Sequence, residues 1–187
     1  MKLNKITPIF FLFLLLATHW LSAQDQRLTK TKVADVLALL PATDNQQAAR
    51  LYSELVNLGD DGLQLVTGGV QPNGVNEGIP SRYAVSLLTH YATTKEDKAK
   101  IERAYLAALK TSSNVEVKAY FMDNLKVVGS NESVNVLKEY INDAALFDPA
   151  VSALVSVSTG EAAKAISNAL NNNQDVAIQV KLIKALG

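Results

Sequence analysis

The chain has 187 residues, with 18 basic and 18 acidic side chains, two histidines and no cysteine. A neutral chain without a basic run lacks the electrostatic footprint of a nucleic-acid-binding protein. Without cysteine there is no disulfide framework, and zinc sites of the Cys/His kind are excluded. The stability of the protein must therefore come from buried apolar surface.

The N-terminus predicts export. Residues 1–23 are interpreted as a cleaved secretory signal peptide, because Lys2 and Lys5 precede an apolar stretch over residues 9–17 and small side chains lie just before residue 24. This apolar stretch is too short to cross a bilayer as a helix, although an uncleaved membrane anchor is the alternative. We expect a protein of the periplasm or the extracellular space, without membrane contact after cleavage.

Residues 24–42 form a lead-in to the rest of the chain. Residues 24–32 are polar and predict a frayed segment. Apolar residues at i, i+3, i+4 and i+7 predict an amphipathic helix over residues 33–40. Pro41 is expected to end this helix, because proline disfavours the helical conformation in the residue before it.

Helices are predicted along the remainder of the chain. Thr43 or Asp44 is expected to cap a helix that runs to about Leu58, and Gly59 suits the left-handed residue that ends it. Asp148–Pro149 is expected to supply a cap followed by a proline in the first helical position. Periodicity and capping residues predict the later helices over 62–70, 81–92, 95–109, 114–128, 131–142, 148–157, 160–171 and 176–186.

The last third of the chain repeats itself at a fixed interval. Gly129, Ser158 and Gly187 follow matching apolar runs, and each step between them is 29 residues. Self-similarity at a fixed period is the signature of stacked repeats, in which each unit covers the apolar face of its neighbour. The matching positions include Met122, Val151 and Val180; Glu132 and Glu161; Leu137 and Ile166; and Ile141 and Leu170.

These features predict an all-α fold. Residues 43–187 are expected to form an α-solenoid of antiparallel helical hairpins, with clear repeats over residues 114–187. The last repeat is expected to be incomplete, because its helix over residues 176–186 has few polar residues and is not followed by a second helix. A terminal repeat normally has a polar outer face. A protein partner, a dimer mate or a companion domain of a longer chain is therefore expected to pack near Val176–Gly187.

The repeats resemble HEAT-type repeats. The resemblance rests on residues 117–119 with residues 125–129, followed by Ser133, Val134 and Leu137, and on their counterparts one repeat further on. The period is shorter than the roughly 40–47 residues of eukaryotic HEAT units, so the chain is similar to the compact HEAT-like repeats of bacterial proteins. The resemblance implies an armadillo-like helical scaffold that binds proteins.

The chain is also similar to the N-terminal part of exported bacterial proteins in which HEAT-like repeats precede a 3-keto-disaccharide hydrolase-type domain. This similarity rests on the signal peptide, on residues 79–84 after a glycine-rich loop, and on the open last helix. It implies an accessory repeat region whose catalytic domain lies beyond residue 187. The hydrolase part is not present in this sequence, so its activity is not carried over to these residues.

Residues 68–80 interrupt the helical pattern with four glycines and two prolines. A loop of this length is expected either to carry a function or to be a surface insertion without one. Arg82 follows the loop, with Glu77 nearby. An ion pair that ties the loop is favoured over a substrate clamp.

Candidates for catalysis have structural explanations. His90 is the only histidine after residue 23 and is expected to lie partly exposed at a helix end, where it suits the helix dipole. A Ser–His–Asp triad would need this histidine, but no nucleophile-elbow motif accompanies it. Asp60–Asp61 would suit a carboxylate pair or a cation site, yet the cap and first turn of a short helix are favoured.

The remaining candidates are also interpreted as structural. Glu132 and Glu161 recur in register, each in the first turn of a second helix, where an acidic side chain suits the dipole. Asn131–Ser133 fits a glycosylation sequon, but a capping role is favoured. Gly68–Gly69 and Gly74 do not lie in a phosphate-binding order. We therefore assign no catalytic, cofactor-binding or metal-binding residue and expect no cofactor.

Two functions from different classes follow. The first is a non-catalytic exported scaffold that mediates protein–protein or domain–domain interaction. The second is the accessory region of a glycoside or 3-keto-disaccharide hydrolase whose active site lies in another domain.

Overall fold

A computed structural model of the protein describes residues 28–187, and this part of the chain consists of helices and turns without a strand. The first helix, α1, covers residues 28–38. Two short 3-10 helices cover Asn76–Gly78 and Lys138–Tyr140. The other helices are α2 (Asn45–Asn57), α3 (Gly59–Gly68), α4 (Ile79–Tyr91), α5 (Lys95–Thr111), α6 (Val115–Val128), α7 (Asn131–Leu137), α8 (Phe147–Val157), α9 (Gly160–Asn172) and α10 (Val176–Leu186).

Side-chain caps explain where many of these helices begin. An oxygen of the cap accepts a hydrogen bond from a backbone N–H that has no partner within the helix. The Asp44 carboxylate accepts from the Gln47 N–H at 2.8 Å, which decides between the two predicted caps of α2. The other caps of this kind are Thr94, Asn114, Ser130, Thr159 and Asp175.

The N-terminal prediction needs a correction. Residues 28–32, predicted to be frayed, belong to α1, and the helix ends at residue 38 rather than 40. Extending a helix that already exists costs little, and the buried residues Val33 and Val36 hold its apolar face against the core. The predicted signal peptide, residues 1–23, lies outside the described residues.

A second correction concerns the connection between α7 and α8. Helix α7 ends at Leu137, five residues before the predicted end, and the chain continues as a 3-10 helix and tight turns. Ile141 and Leu146 lie in this connection and are both buried in the core. Asp148 is not a cap, because α8 already begins one residue earlier; the Asp143 carboxylate instead accepts from the Leu146 N–H.

The helices pack in two rows. Each even-numbered helix from α2 to α8 contacts the next even-numbered one, and each odd-numbered helix from α3 to α7 contacts the next odd-numbered one. Each of α3, α5, α7 and α9 also contacts the helix that follows it in sequence. One apolar core runs between the rows from Val33 in α1 to Leu182 in α10. Helix α10 therefore lies at one end of the packed core.

Candidate functional site

The outer face of α10 is an exposed apolar stripe. We define it by Val176, Val180, Ile183 and Leu186, whose exposed fractions lie between 42% and 71%. Residues at these spacings lie on one side of a helix. Contiguous apolar surface of this kind on a soluble protein marks an interaction site more often than scattered single residues do.

Most of the equivalent positions in the preceding repeats are buried, and Lys118 and Val157 are half-buried. Met122, Leu125 and Val128 in α6 are at most 3% exposed, and Val151 and Leu154 in α8 are at most 7% exposed. Helix α8 packs on α6, and α9 and α10 pack on α8. Within residues 28–187 no helix packs in the same way on α10, so its outer face stays open.

Helix α10 is anchored along the opposite side. Leu182 is its one buried residue, and Ile178 and Ala185 are half-buried against the core. The Lys181 ammonium lies 2.7 Å from the Asp148 carboxylate and ties α10 to the first turn of α8. Both partners of this ion pair are solvent-exposed, so it orients the helix more than it stabilises it.

A groove of about 320 Å³ opens where the outer face of α10 ends. Helices α8, α9 and α10 each contribute apolar residues to it, among them Leu154, Ile166 and Leu186. Leu186 belongs to both the groove and the outer face, so the two form one continuous surface. We call the outer face together with this groove the α10 surface.

Ser158 shapes the turn that lines this groove. It adopts the left-handed conformation, with φ 52° and ψ 43°, which is costly for a residue with a side chain. Its counterpart Gly129 has φ −68°, but a Cβ there would collide with the Leu125 carbonyl oxygen. The small residue at this repeat position thus meets two different backbone requirements. At Gly129 it allows close approach to the Leu125 carbonyl oxygen, and at Ser158 it forms a left-handed turn.

His90 and Asp60–Asp61 belong to different helices. The Nδ1 atom of His90 lies 2.8 Å from the Ser86 carbonyl oxygen in the last turn of α4, on the exposed surface that was predicted. Both aspartates lie in the first turn of α3, as predicted, although Leu58 and not an aspartate occupies the cap position. Asp60 faces Arg103 at 3.9 Å in a weak surface pair.

The recurring glutamates lie where the sequence predicted them. Glu132 and Glu161 are exposed in the first turns of α7 and α9. Asn131 of the sequon opens α7, whereas Ser133 is fully buried. The cap of α7 is Ser130, which lies just before the sequon, so the predicted capping role does not belong to residues 131–133 themselves.

The sequence analysis missed Glu102, which lies 2% exposed in α5. Its Oε1 atom accepts from the Ser130 N–H at 2.7 Å, the Ser133 N–H at 3.0 Å and the Ser133 hydroxyl at 2.6 Å. The Glu102 carboxylate in α5 thereby accepts hydrogen bonds from donors at the start of α7. No local pattern could have found it, because 28 residues separate Glu102 from its nearest partner.

Arg82 does tie the glycine-rich loop, but with a different partner from the predicted Glu77. Its Nε atom donates to the Gln71 carbonyl at 2.9 Å, and its Nη2 atom lies 3.5 Å from a Glu116 carboxylate oxygen. The same carboxylate accepts from the Asn73 N–H at 2.7 Å. The predicted loop-tying role is thus confirmed, and its acidic partner comes from α6.

The described residues show two further features. Between residues 28 and 187, no group of three or more His, Asp or Glu side chains is arranged to hold a metal ion. No helix in the same part of the chain is long and apolar enough to cross a membrane.

No family model matches the sequence, and no curated protein shows a significant match to it.

Proposed function

We propose that the protein is an exported, non-catalytic interaction scaffold built from HEAT-like helical repeats. The contacts between neighbouring helices in each of the two rows support a stack of antiparallel hairpins, which is the arrangement of an α-solenoid. The 29-residue register supports the same stacking, because its columns of apolar residues are buried in α6 and α8.

The observation that carries this function is the exposed outer face of α10. Each apolar side chain buried on binding contributes on the order of 1.5–3 kcal/mol before the costs of association. Val176, Val180, Ile183 and Leu186 lie together on one helix, so a partner that covers them gains several such contributions at once. A protein partner is the ligand that suits an apolar helix face of this kind.

A dye that fluoresces on apolar surface tests this assignment. We expect the double variant Val180→Ser, Ile183→Ser to bind less dye while its urea midpoint stays unchanged, because both side chains are exposed. The matched control is Val115→Ser, Val127→Ser, which changes two similarly exposed valines on α6. Equal loss of dye binding in both variants would remove the special role of α10.

The second candidate is an accessory repeat region of a glycoside or 3-keto-disaccharide hydrolase. The observation that favours it is the same α10 surface, which a catalytic domain would cover in place of a separate protein. Purified residues 24–187 are expected to show no turnover of glycosides or 3-keto-disaccharides. Reproducible turnover that His90→Ala or Asp61→Ala abolishes would contradict the non-catalytic assignment.

A further inference from the structure

We propose that Asn73 is a site of spontaneous deamidation, and that the reaction loosens the attachment of the glycine-rich loop to α6. Three features carry this inference: the residue that follows Asn73, the backbone of its turn, and the contact of Asn73 with Glu116. None of them depends on the scaffold function proposed above.

The residue after Asn73 favours the reaction. Asn73–Gly74 is the only asparagine–glycine pair in the chain. In deamidation the main-chain nitrogen of the following residue attacks the carbonyl carbon of the asparagine side chain. Glycine has no Cβ beside that nitrogen and therefore hinders the attack least. The sequence thus separates Asn73 from every other asparagine of the chain.

The reaction needs only water. The Gly74 nitrogen bonds to Cγ of Asn73, and the bond between Cγ and the side-chain nitrogen breaks. The proton of the Gly74 nitrogen leaves with the amide group as ammonia, and a succinimide ring remains. Water then opens the ring at one of its two carbonyl groups. The product is aspartate, or isoaspartate, in which the main chain runs through Cβ and Cγ.

The turn at Asn73 leaves both reacting groups accessible. The Val75 N–H donates to the Pro72 carbonyl oxygen at 3.3 Å, so Asn73 and Gly74 are the central residues of a β-turn. Both are exposed, and a Cβ added to Gly74 would meet no atom within 4 Å. In the part of the chain that the structure describes, neither the Asn73 side chain nor the Gly74 N–H makes a hydrogen bond. No contact therefore has to break before the nitrogen attacks.

The product weakens one of the two ties of the loop. The Glu116 carboxylate accepts from the Asn73 N–H at 2.7 Å. Deamidation places a second negative charge next to this carboxylate, and like charges at short distance repel each other. Isoaspartate also inserts a methylene group into the main chain, which lengthens the turn. The bond from Arg82 to the Gln71 carbonyl, at 2.9 Å, does not involve Asn73, so we expect a looser loop and not an unfolded protein.

Mass spectrometry of aged protein tests the reaction. The purified protein is kept at mildly alkaline pH, sampled over weeks and digested at acidic pH, and fragmentation of the peptides locates each exchange of an amide for an acid. Asn76 is the internal control, because it is exposed in the same loop but precedes Glu77. Asn73 should lose its amide at least about tenfold faster than Asn76, which corresponds to about 1.4 kcal/mol in activation free energy.

Two variants separate the chemistry from its consequence. Gly74→Asn should slow the loss of the Asn73 amide about tenfold. Asparagine tolerates a positive φ better than other residues with a side chain, so it suits the φ of 84° at this position. Asn73→Gln keeps an amide, but its longer side chain does not form the succinimide ring.

Hydrogen exchange measures the looser loop. Ion-exchange chromatography separates the deamidated protein from the unmodified protein by its added negative charge. Exchange in residues 69–78 should be about threefold faster or more in the deamidated fraction, while the urea midpoint changes little. Aged Asn73→Gln should keep the loop exchange of fresh protein.

Three outcomes would overturn this inference. The first is an Asn73 amide that lasts as long as that of Asn76, and the second is an equal rate of loss in Gly74→Asn and the unchanged protein. The third is equal loop exchange in the deamidated and the unmodified fractions. These measurements concern the loop alone, so the proposed scaffold function stands or fails on its own dye and activity experiments.

Discussion

A single carboxylate in the middle of the stack connects two helices that are distant in sequence. Glu102 of α5 accepts hydrogen bonds from the N–H groups and the hydroxyls of Ser130 and Ser133. Buried charge is costly unless hydrogen bonds compensate it, and here four donors converge on one side chain. The start of α7 therefore depends on a residue outside its own sequence neighbourhood.

Replacing Glu102 by alanine should lower the free energy of unfolding by about 2–4 kcal/mol, because buried donors of α7 lose their acceptor. Glu102→Gln keeps a carbonyl oxygen that can take the place of Oε1, which accepts most of the hydrogen bonds. Its free energy of unfolding should therefore fall by roughly half as much as that of Glu102→Ala. Urea unfolding followed by circular dichroism measures both losses. The exposed Glu132→Ala is the control, expected to change stability by less than about 0.5 kcal/mol. A loss at Glu132 equal to that at Glu102 would contradict the capping role.

At the scale of an element, the side chains of Arg82 and Glu116 together hold the glycine-rich loop. Arg82 donates to the loop carbonyl of Gln71, pairs with Glu116 and lies 4.4 Å above the Tyr120 ring. The Tyr120 hydroxyl in turn donates to the Arg82 carbonyl at 2.9 Å. The loop between α3 and α4 is thus fixed to α6 by side chains and not by its own backbone pattern.

Arg82→Lys should loosen this loop without unfolding the protein. A lysine keeps the positive charge but lacks the planar guanidinium group, which contacts both Gln71 and Glu116 while it stacks on the Tyr120 ring. Hydrogen exchange in residues 69–78 should rise about tenfold, and global stability should fall by about 1 kcal/mol or less. Arg50→Lys, in an exposed helix pair with Glu54, is the matched control and should leave loop exchange unchanged. Equal exchange in Arg82→Lys and the unchanged protein would show that other contacts hold the loop.

At the scale of the whole molecule, tyrosine hydroxyls connect different helices. The Tyr52 hydroxyl donates to Asp97 at 3.0 Å and joins α2 to α5. The Tyr105 hydroxyl donates to the Val85 carbonyl at 2.8 Å and lies 2.9 Å from the Thr89 hydroxyl. Burial is the main cause that raises the pKa of Tyr105, because the phenolate would be desolvated.

Alkaline pH should therefore destabilise the molecule. Burial, and secondly the hydrogen bond to Asp97, raise the pKa of Tyr52 to about 12. Burial also raises the pKa of Tyr120 to about 12, despite the nearby Arg82. A tyrosine in the unfolded chain has a pKa of about 10. The stabilisation that comes from keeping Tyr52 and Tyr120 protonated in the folded protein is therefore complete below about pH 10. It is lost as the pH rises towards the pKa values of the two tyrosines in the folded protein.

Urea midpoints measured from about pH 8 to about pH 11 test this dependence. Tyr52→Phe should make the loss of stability above about pH 10 shallower, because it removes one of the groups whose pKa is raised. Tyr83→Phe, which changes an exposed ring, serves as the matched control. An identical pH slope for Tyr52→Phe and the unchanged protein would contradict a contribution from Tyr52.

Local signals placed most helices correctly. The cap Asp44 lies where the sequence predicted one, since a cap and its helix are neighbours in the chain. Gly59 has φ 70°, the left-handed conformation predicted for it. The errors fell at both ends of α1, at α3, which was predicted over residues 62–70 and covers Gly59–Gly68, at the turns after Leu137 and at Asp148.

The candidate site was predictable in part. The apolar, sparsely polar sequence of α10 indicated an uncovered helix, and its stripe is exposed. The groove beside Ser158 and the tie from Lys181 to Asp148 were not predictable, because each joins residues of different helices. Glu102 and the pairing of Arg82 with Glu116 were missed for the same reason.

The sequence by itself determined the helical class and the 29-residue register, because both depend on the periodicity of residues along the chain. Only the tertiary structure decided which charged groups meet, where the glycine-rich loop is held and how α10 joins its groove. Those contacts join residues about 30 or more positions apart, and the distance between such residues is set by packing and not by spacing in the sequence.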